Sequence, residues 1–116
     1  MSYVHVLSEG PTRIRSTVMR GDEVEMSVTI AGRWDIVGDD WEARLYGKGR
    51  YWSMGVSRSI ATVDSADDST TVTLTLSAAH CAQLTPGKYV FTAKDTTLGT
   101  TWVRGVLVVQ RNVLVA

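Results

Sequence analysis

The stretch from Leu74 to Lys94 constrains the fold more than any other part of the chain. The strand that enters this stretch has apolar residues at every second position, Val72, Leu74 and Leu76, which is the period of a strand with one buried face. Ser77 ends the alternation and is a suitable N-cap for the apolar run that follows it. The sequence therefore predicts a strand that leads into one short helical turn near residues 78–84.

A corner and a second strand are predicted directly after this turn. Pro86 and Gly87 favour a tight turn, and the alternation then resumes at Tyr89, Phe91 and Ala93. The segment resembles the tyrosine corner of immunoglobulin-like and fibronectin-type sandwiches, in which a tyrosine hydroxyl binds upstream backbone. The residues that carry this resemblance are Leu84, Pro86, Gly87 and Tyr89.

Short alternating segments also fill most of the remaining chain. The clearest has Val24, Met26, Val28 and Ile30 on one face, preceded by a turn at Arg20-Gly21-Asp22 that we interpret as a hairpin. Turn residues recur every 8 to 12 positions, as in all-β sandwiches and small barrels. We predict an all-β, immunoglobulin-like antiparallel β-sandwich of about seven strands.

The length allows one domain with a single core, since the chain has 116 residues. We divide it into an N-terminal arm at 1–11, a β-sandwich domain at 12–111 and a C-terminal tail at 112–116. Both ends are apolar enough to pack against neighbouring subunits. The residues concerned are Tyr3, Val4 and Val6 in the arm and Val113, Leu114 and Val115 in the tail.

Charge and cysteine content exclude several classes of function. Lys plus Arg equals Asp plus Glu, at 12 each, so no overall field attracts nucleic acid or an anionic membrane. Cys81 is the single cysteine, which excludes an intramolecular disulfide and suggests a small buried side chain. No apolar run is long enough to span a bilayer, and we expect synthesis in the cytosol.

The residues show no catalytic or metal-binding pattern. His5 and His80 lack partners at ligand spacing, and the pair Asp39-Asp40 is better explained as a solvated turn than as a calcium site. The same applies to the acidic cluster Asp64, Asp67 and Asp68. A glycoside hydrolase using Asp40 and Glu42 is a weaker alternative. We predict no enzyme activity, no cofactor and no metal.

Aromatic residues in the predicted connections indicate a protein interface. The segment from Gly47 to Gly55 reads as a long glycine-rich loop that carries Tyr51, Trp52 and Met54. Trp34 lies in another predicted connection. Exposed apolar and aromatic side chains on a small domain mark protein contacts, so we predict docking through these residues and both termini.

The order of several segments resembles small structural proteins of tailed bacteriophages. It is similar to the N-terminal sandwich of phage baseplate upper proteins and to short immunoglobulin-like virion proteins, over roughly residues 12–111. The matching segments are 20–28, 41–45, 72–79, 84–91 and 103–109. Because the sequence ends after one domain, the resemblance implies a capsid decoration, minor capsid or head-tail accessory protein located in the virion.

Two alternatives remain open at this point. The chain could be a tail or baseplate adaptor domain, or it could bind carbohydrate or a host surface with Trp34, Tyr51 and Trp52 as a stacking platform. In the leading interpretation the partners are major capsid or tail subunits. The chain would then be present as a homo-oligomer or in many copies, without contacting nucleic acid or membrane.

Overall fold

The computed structural model describes residues 2–8, 12–62 and 68–111, with 2–8 and Thr12 described by their backbone. Eight strands lie in these ranges: β1 (Ser2–Ser8), β2 (Thr12–Met19), β3 (Val24–Ile30), β4 (Trp41–Gly47), β5 (Arg50–Ala61), β6 (Ser69–Leu76), β7 (Gly87–Asp95) and β8 (Thr100–Gln110). A short 3-10 helix spans Trp34–Ile36, and the α-helix α1 spans Ala78–Ala82. The predicted all-β class and the helical turn are confirmed.

The strands form one continuous sheet in the order β1-β3-β6-β5-β4-β7-β8-β2. Strand β5 makes this continuity possible, because its first part pairs with β4 and its second part, from Gly55 onward, pairs with β6. A Cβ at Gly55 would collide with the Thr75 hydroxyl, so glycine is suited to the point where the strand changes partner.

The sheet is barrel-like, and the prediction of two separate sheets was wrong in this respect. The two edge strands of the sheet, β1 and β2, are consecutive in the chain. Strand β1 pairs in parallel with β3, and β2 pairs in parallel with β8. The sheet is therefore not wholly antiparallel.

The predicted hairpin at Arg20-Gly21-Asp22 was also wrong. The turn exists, with Asp22 N donating to Met19 O at 3.1 Å, but β2 and β3 pair with other strands.

One core lies inside the curved sheet, and the alternating residues of the sequence fill it. Their inward side chains come from β3 and β6 in one part of the sheet and from β2, β4, β5, β7 and β8 in the other, and the connections add Ile36 and Leu84. The largest fully buried ones are Tyr89, Phe91, Met26, Ile30, Ile36, Leu45, Leu74, Leu76, Leu84 and Leu107. Burial of this apolar surface is the main favourable term in folding.

The predicted corner is present at the start of β7. Tyr89 Oη donates a hydrogen bond to Thr85 O at 2.8 Å, across the turn that contains Pro86 and Gly87. The Tyr89 ring packs edge-on against Trp52 at a centroid distance of 5.8 Å. Gly47 lies against the same ring, where any Cβ would overlap it. The corner thus joins β7 to the hairpin formed by β4 and β5.

Helix α1 closes the end of the core beside this corner. Ser77 is its N-cap, since Ser77 Oγ accepts a hydrogen bond from His80 N at 3.2 Å. Cys81 is fully buried on the inner side of the helix, and burial raises the pKa of its thiol. The predicted role of Cys81 as a small core side chain is confirmed, and the raised pKa disfavours the reactive thiolate.

Candidate docking face

The predicted glycine-rich loop from Gly47 to Gly55 is a β-hairpin. Gly47 pairs with Arg50, and the two residues between them, Lys48 and Gly49, both have positive φ, at 54° and 74°. This is the pattern of a type I′ turn, which matches the twist of paired strands. The loop prediction was therefore wrong, because the glycines serve a tight turn and a close approach to Tyr89.

The hairpin register decides which of its side chains reach the surface. Tyr51 pairs with Tyr46 and is 57% exposed, whereas Trp52 and Met54 point inward and are 8% and 6% exposed. The interpretation of Trp52 and Met54 as surface contacts was wrong. A Trp52→Ala substitution would open a cavity in the core, so it does not probe an interface.

The other predicted contacts lie at the two ends of the chain. The backbone of Ser2–Ser8, within the predicted N-terminal arm, forms β1 against β3. The side chains of Tyr3, Val4 and Val6 lie outside the described residues, as do Val113, Leu114 and Val115. Their proposed role at subunit boundaries stays a prediction.

Trp34 and Tyr51 do not form a common aromatic platform. Trp34 is 61% exposed in the connection that enters β4 at Trp41. Tyr51 lies opposite Tyr46, five residues further along β4, which is about 17 Å of strand. With Trp52 in the core, the three aromatics of the carbohydrate-binding alternative are separated.

The outer surface of β2, β8, β7, β4 and the first part of β5 carries the molecule's most distinctive chemistry. We call it the basic face. One row of strand partners crosses it, from Arg13 to Arg104, Thr92 and Arg44. We call this the arginine row. With strands about 4.8 Å apart, its three arginines span about 14 Å.

A second row runs beside the arginine row, two residues further along each strand. On β8, β7, β4 and β5 it consists of Val106, Val90, Tyr46 and Tyr51, and we call these four residues the apolar row. On β2 the corresponding residue is Arg15, the partner of Val106. Val90, Tyr46 and Tyr51 are exposed despite their size. A shallow depression of about 710 Å³ is lined by members of both rows and by four other residues. From the rows these are Arg13, Arg104, Thr92, Val106, Val90 and Tyr46, and the others are Ile14, Lys94, Thr101 and Gly105. The depression combines apolar contact area with cationic side chains.

Positive charge is concentrated on this face. Among the described residues its basic side chains are Arg13, Arg15, Arg44, Lys88, Lys94 and Arg104, while Glu42 is its carboxylate. Glu42 forms an ion pair with Arg44. Within the described ranges, the other five basic side chains form no ion pair. The basic face therefore carries positive charge that the described carboxylates do not neutralise.

Arg44, in the arginine row, also contacts two residues of the apolar row, Tyr46 and Tyr51. A hydrogen bond with Tyr46 and the charge of Glu42 raise the pKa of its guanidinium. The guanidinium also lies over the Tyr51 ring, 4.9 Å from its centroid. These contacts fix Arg44 in place and cover one face of Tyr51.

The outer surface of β3 and β6 has a different character. Its Ser and Thr hydroxyls bond to one another across the strands, Ser27 to Thr73 at 3.0 Å and Thr29 to Thr71 at 2.7 Å. These neutral groups satisfy their own hydrogen bonds, and Ser27 and Thr29 are buried. The two outer surfaces of the sheet thus differ sharply in charge.

Several carboxylates lie at the end of the molecule where the chain enters β4. Asp95 is buried, and its Oδ1 accepts hydrogen bonds from Thr97 N at 3.0 Å and Leu98 N at 3.1 Å. A hydrogen bond with Asp95 raises the pKa of the Asp39 carboxyl. Arg33 binds Asp35 at 2.9 Å and lies over the Trp102 ring.

These carboxylates do not assemble a recognisable reaction centre. Glu42 is held by Arg44, and the backbone of Asp40 is bound to Thr96 and Thr97. In the described part of the chain, no group of three or more His, Cys, Asp or Glu residues could hold a metal ion. Among the same residues, no helix has the length and apolar character needed to cross a membrane.

The sequence contained a signal for the basic face that the composition concealed. Arg13 and Arg15 occupy alternate positions of β2 and so lie on one side of it, and Lys88 and Lys94 likewise lie on one side of β7. In the total composition, carboxylates elsewhere in the chain cancel these positive charges. The parallel pairing of β2 with β8 brings Arg13 beside Arg104, and these residues are 91 positions apart in the chain. No local pattern in the sequence predicts that β2 pairs with β8.

Comparison with known proteins adds no family to these observations. No protein-family model matches the chain, and no curated protein matches it significantly.

Proposed function

We propose that the chain is a non-enzymatic structural protein of a tailed bacteriophage virion, a capsid decoration, minor capsid or head-tail accessory protein. It docks on capsid or tail subunits through the basic face. The order of its sequence segments supports the phage assignment, and the β-rich fold is compatible with it. The docking role rests on one observation. Tyr46, Tyr51 and Val90 are exposed in a row beside the arginine row, in which Arg13 and Arg104 have no ion-pair partner within the described ranges.

This arrangement has the composition of a protein interface. Aromatic residues and arginine are enriched in such interfaces, and aromatic anchors carry much of their binding energy. The Tyr46 and Tyr51 rings pack at a tilt, 6.3 Å apart, so they are already ordered before a partner arrives. Pre-ordered side chains lose little entropy on binding.

The test is co-sedimentation of the purified protein with undecorated shells, and separately with tails, of the phage whose genome encodes it. Tyr51→Ala should weaken binding by roughly tenfold, or about 1.4 kcal/mol. Trp34→Ala is the matched control, since it removes an equally exposed aromatic at the other end of β4. Its binding should equal that of the unmodified protein.

Each result separates the alternatives. Binding to shells supports a decoration or minor capsid role, and binding to tails alone supports the adaptor role. If the protein binds neither particle, the virion proposal is wrong. If Trp34→Ala weakens binding and Tyr51→Ala does not, docking uses the opposite end of the molecule.

A further inference from the structure

The arginine row is arranged for an anionic partner. Arg13 and Arg104 are direct neighbours on paired strands, and both are exposed. Like charges in such positions repel each other, and neither has an ion-pair partner among the described residues. An anionic group placed between them would remove this repulsion and gain charge-assisted hydrogen bonds.

The dimensions of the row match an extended polypeptide. Side chains on one side of an extended chain recur every 6.6 Å or so, so three of them span about 13 Å. The arginine row, from Arg13 through Arg104 to Arg44, spans about 14 Å by the strand spacing. Arg13 and Arg104 lie one strand spacing apart, about 4.8 Å, so two alternate carboxylates near one end of the row could each reach one of these long side chains.

The apolar row lies about 6.6 Å from the arginine row, since it is two residues further along each strand. An extended segment lying between the rows directs alternate side chains to opposite sides. One set would reach the arginines, and the other would reach Val106, Val90 and Tyr46. The partner segment must then alternate acidic residues with apolar ones.

The apolar row suits aliphatic side chains better than nucleic acid bases. Base binding requires aromatic faces open to stacking. Here Arg44 covers one face of Tyr51, the Tyr46 ring is tilted by 42° to it, and Val90 and Val106 are aliphatic. The geometry favours a polypeptide as the anionic partner.

We infer that the basic face binds an extended segment of a partner protein in which acidic and apolar residues alternate. The acidic side chains bind Arg13 and Arg104, which have no ion-pair partner among the described residues, and the apolar ones pack on Val106, Val90 and Tyr46. This inference rests on the proposed docking function and specifies the chemistry of the docking partner.

The test uses fluorescence anisotropy with the purified protein and short labelled peptides. The probe is a peptide of alternating Glu and Val, and its controls are peptides of alternating Glu and Ser and of alternating Lys and Val. Glu-Val should bind, Glu-Ser should bind at least about fivefold more weakly, and Lys-Val should not bind. Binding should disappear near 1 M NaCl, where the Debye length is about 3 Å.

Charge reversal locates the site. Arg104→Glu should weaken Glu-Val binding by at least about tenfold, because it places a carboxylate in the middle of the arginine row. Arg111→Glu is the matched control, with the same charge change at an exposed position after β8. It should alter binding by less than about twofold.

Four outcomes would overturn the inference: no peptide binding, equal binding of Glu-Val and Glu-Ser, equal effects of the two charge reversals, or tighter binding of oligothymidine than of Glu-Val. The last would identify the face as a nucleic acid site. If the peptides fail while shells or tails still bind, the partner chemistry is wrong and the docking function stands. If all of them fail, both proposals are wrong.

Discussion

Gly105 shows how a single residue holds the basic face in place. It occupies an inward position of β8, between Ile14 of β2 and Phe91 of β7. A Cβ at this position would overlap the Ile14 carbonyl oxygen and the edge of the Phe91 ring. The absence of a side chain therefore lets β2 and β7 pack closely on either side of β8.

We expect Gly105→Ala to destabilise the protein by roughly 1–3 kcal/mol, since backbone of β2 must shift to admit the methyl group. Urea unfolding followed by circular dichroism measures this loss. Gly38→Ala is the control, because nothing lies within 4 Å of its Cβ position and its φ is not positive. Equal stability of the two variants would show that the strands around Gly105 can part without cost.

At the scale of elements, the Asp39-Asp95 pair links two connections. Asp39 lies in the segment that enters β4, and Asp95 ends β7. The same connections are joined by backbone bonds, with Thr96 N donating to Asp40 O at 2.8 Å. The hydrogen bond with Asp95 raises the pKa of Asp39 above its ordinary value of 3.8, and the negative charges of Asp95 and Asp35 act in the same direction.

A raised carboxyl pKa means that the folded state holds this proton more tightly than the unfolded state. Its stabilising contribution is present at low pH and is lost as pH rises through the raised pKa. Asp39→Asn keeps a hydrogen-bond donor towards Asp95 and does not titrate. We therefore expect the variant to gain stability relative to the unmodified protein as pH rises from about 3 to about 7.

Urea midpoints across this pH range test the expectation. Asp40→Asn is the control, since it removes a neighbouring exposed carboxylate and leaves the pair intact. A constant difference between Asp39→Asn and the unmodified protein at every pH would show that the two carboxyls are not coupled. Arg33, which lies nearby and binds Asp35, keeps its charge throughout the range.

Local patterns predicted elements well where one segment contained all the necessary chemistry. Ser77 as an N-cap and Tyr89 at the corner each depend on partners within four residues, and both hydrogen bonds are present. The hairpin at Lys48-Gly49 was missed because neighbouring glycines suggested a loop. Gly47 is required by the Tyr89 ring, a contact between residues far apart in sequence.

At the scale of the whole molecule, charge is separated although the chain is neutral. Formal net charge is zero, yet among the described carboxylates Glu42 alone lies on the basic face. Composition could not predict this separation, because it depends on which strands pair. The arginine row draws on β2, β8 and β4, and its order follows from the parallel β2-β8 pairing.

Such a molecule should associate with itself at low ionic strength. The basic face of one copy attracts carboxylates exposed elsewhere on another, such as Glu23. A net charge near zero provides no general repulsion to oppose this contact. Light scattering at about 0.01 M salt, where the Debye length is about 30 Å, should give a mass above 12.7 kDa that rises with protein concentration.

Near 0.5 M NaCl the mass should fall to that of a monomer, because exposed charges are then screened beyond a few ångströms. Arg104→Glu should reduce association at low salt more than Arg111→Glu does, since only the first interrupts the arginine row. A monomer at every salt concentration would show that the basic face does not recognise this chain's own carboxylates. Association that persists at high salt would instead indicate an apolar contact between copies.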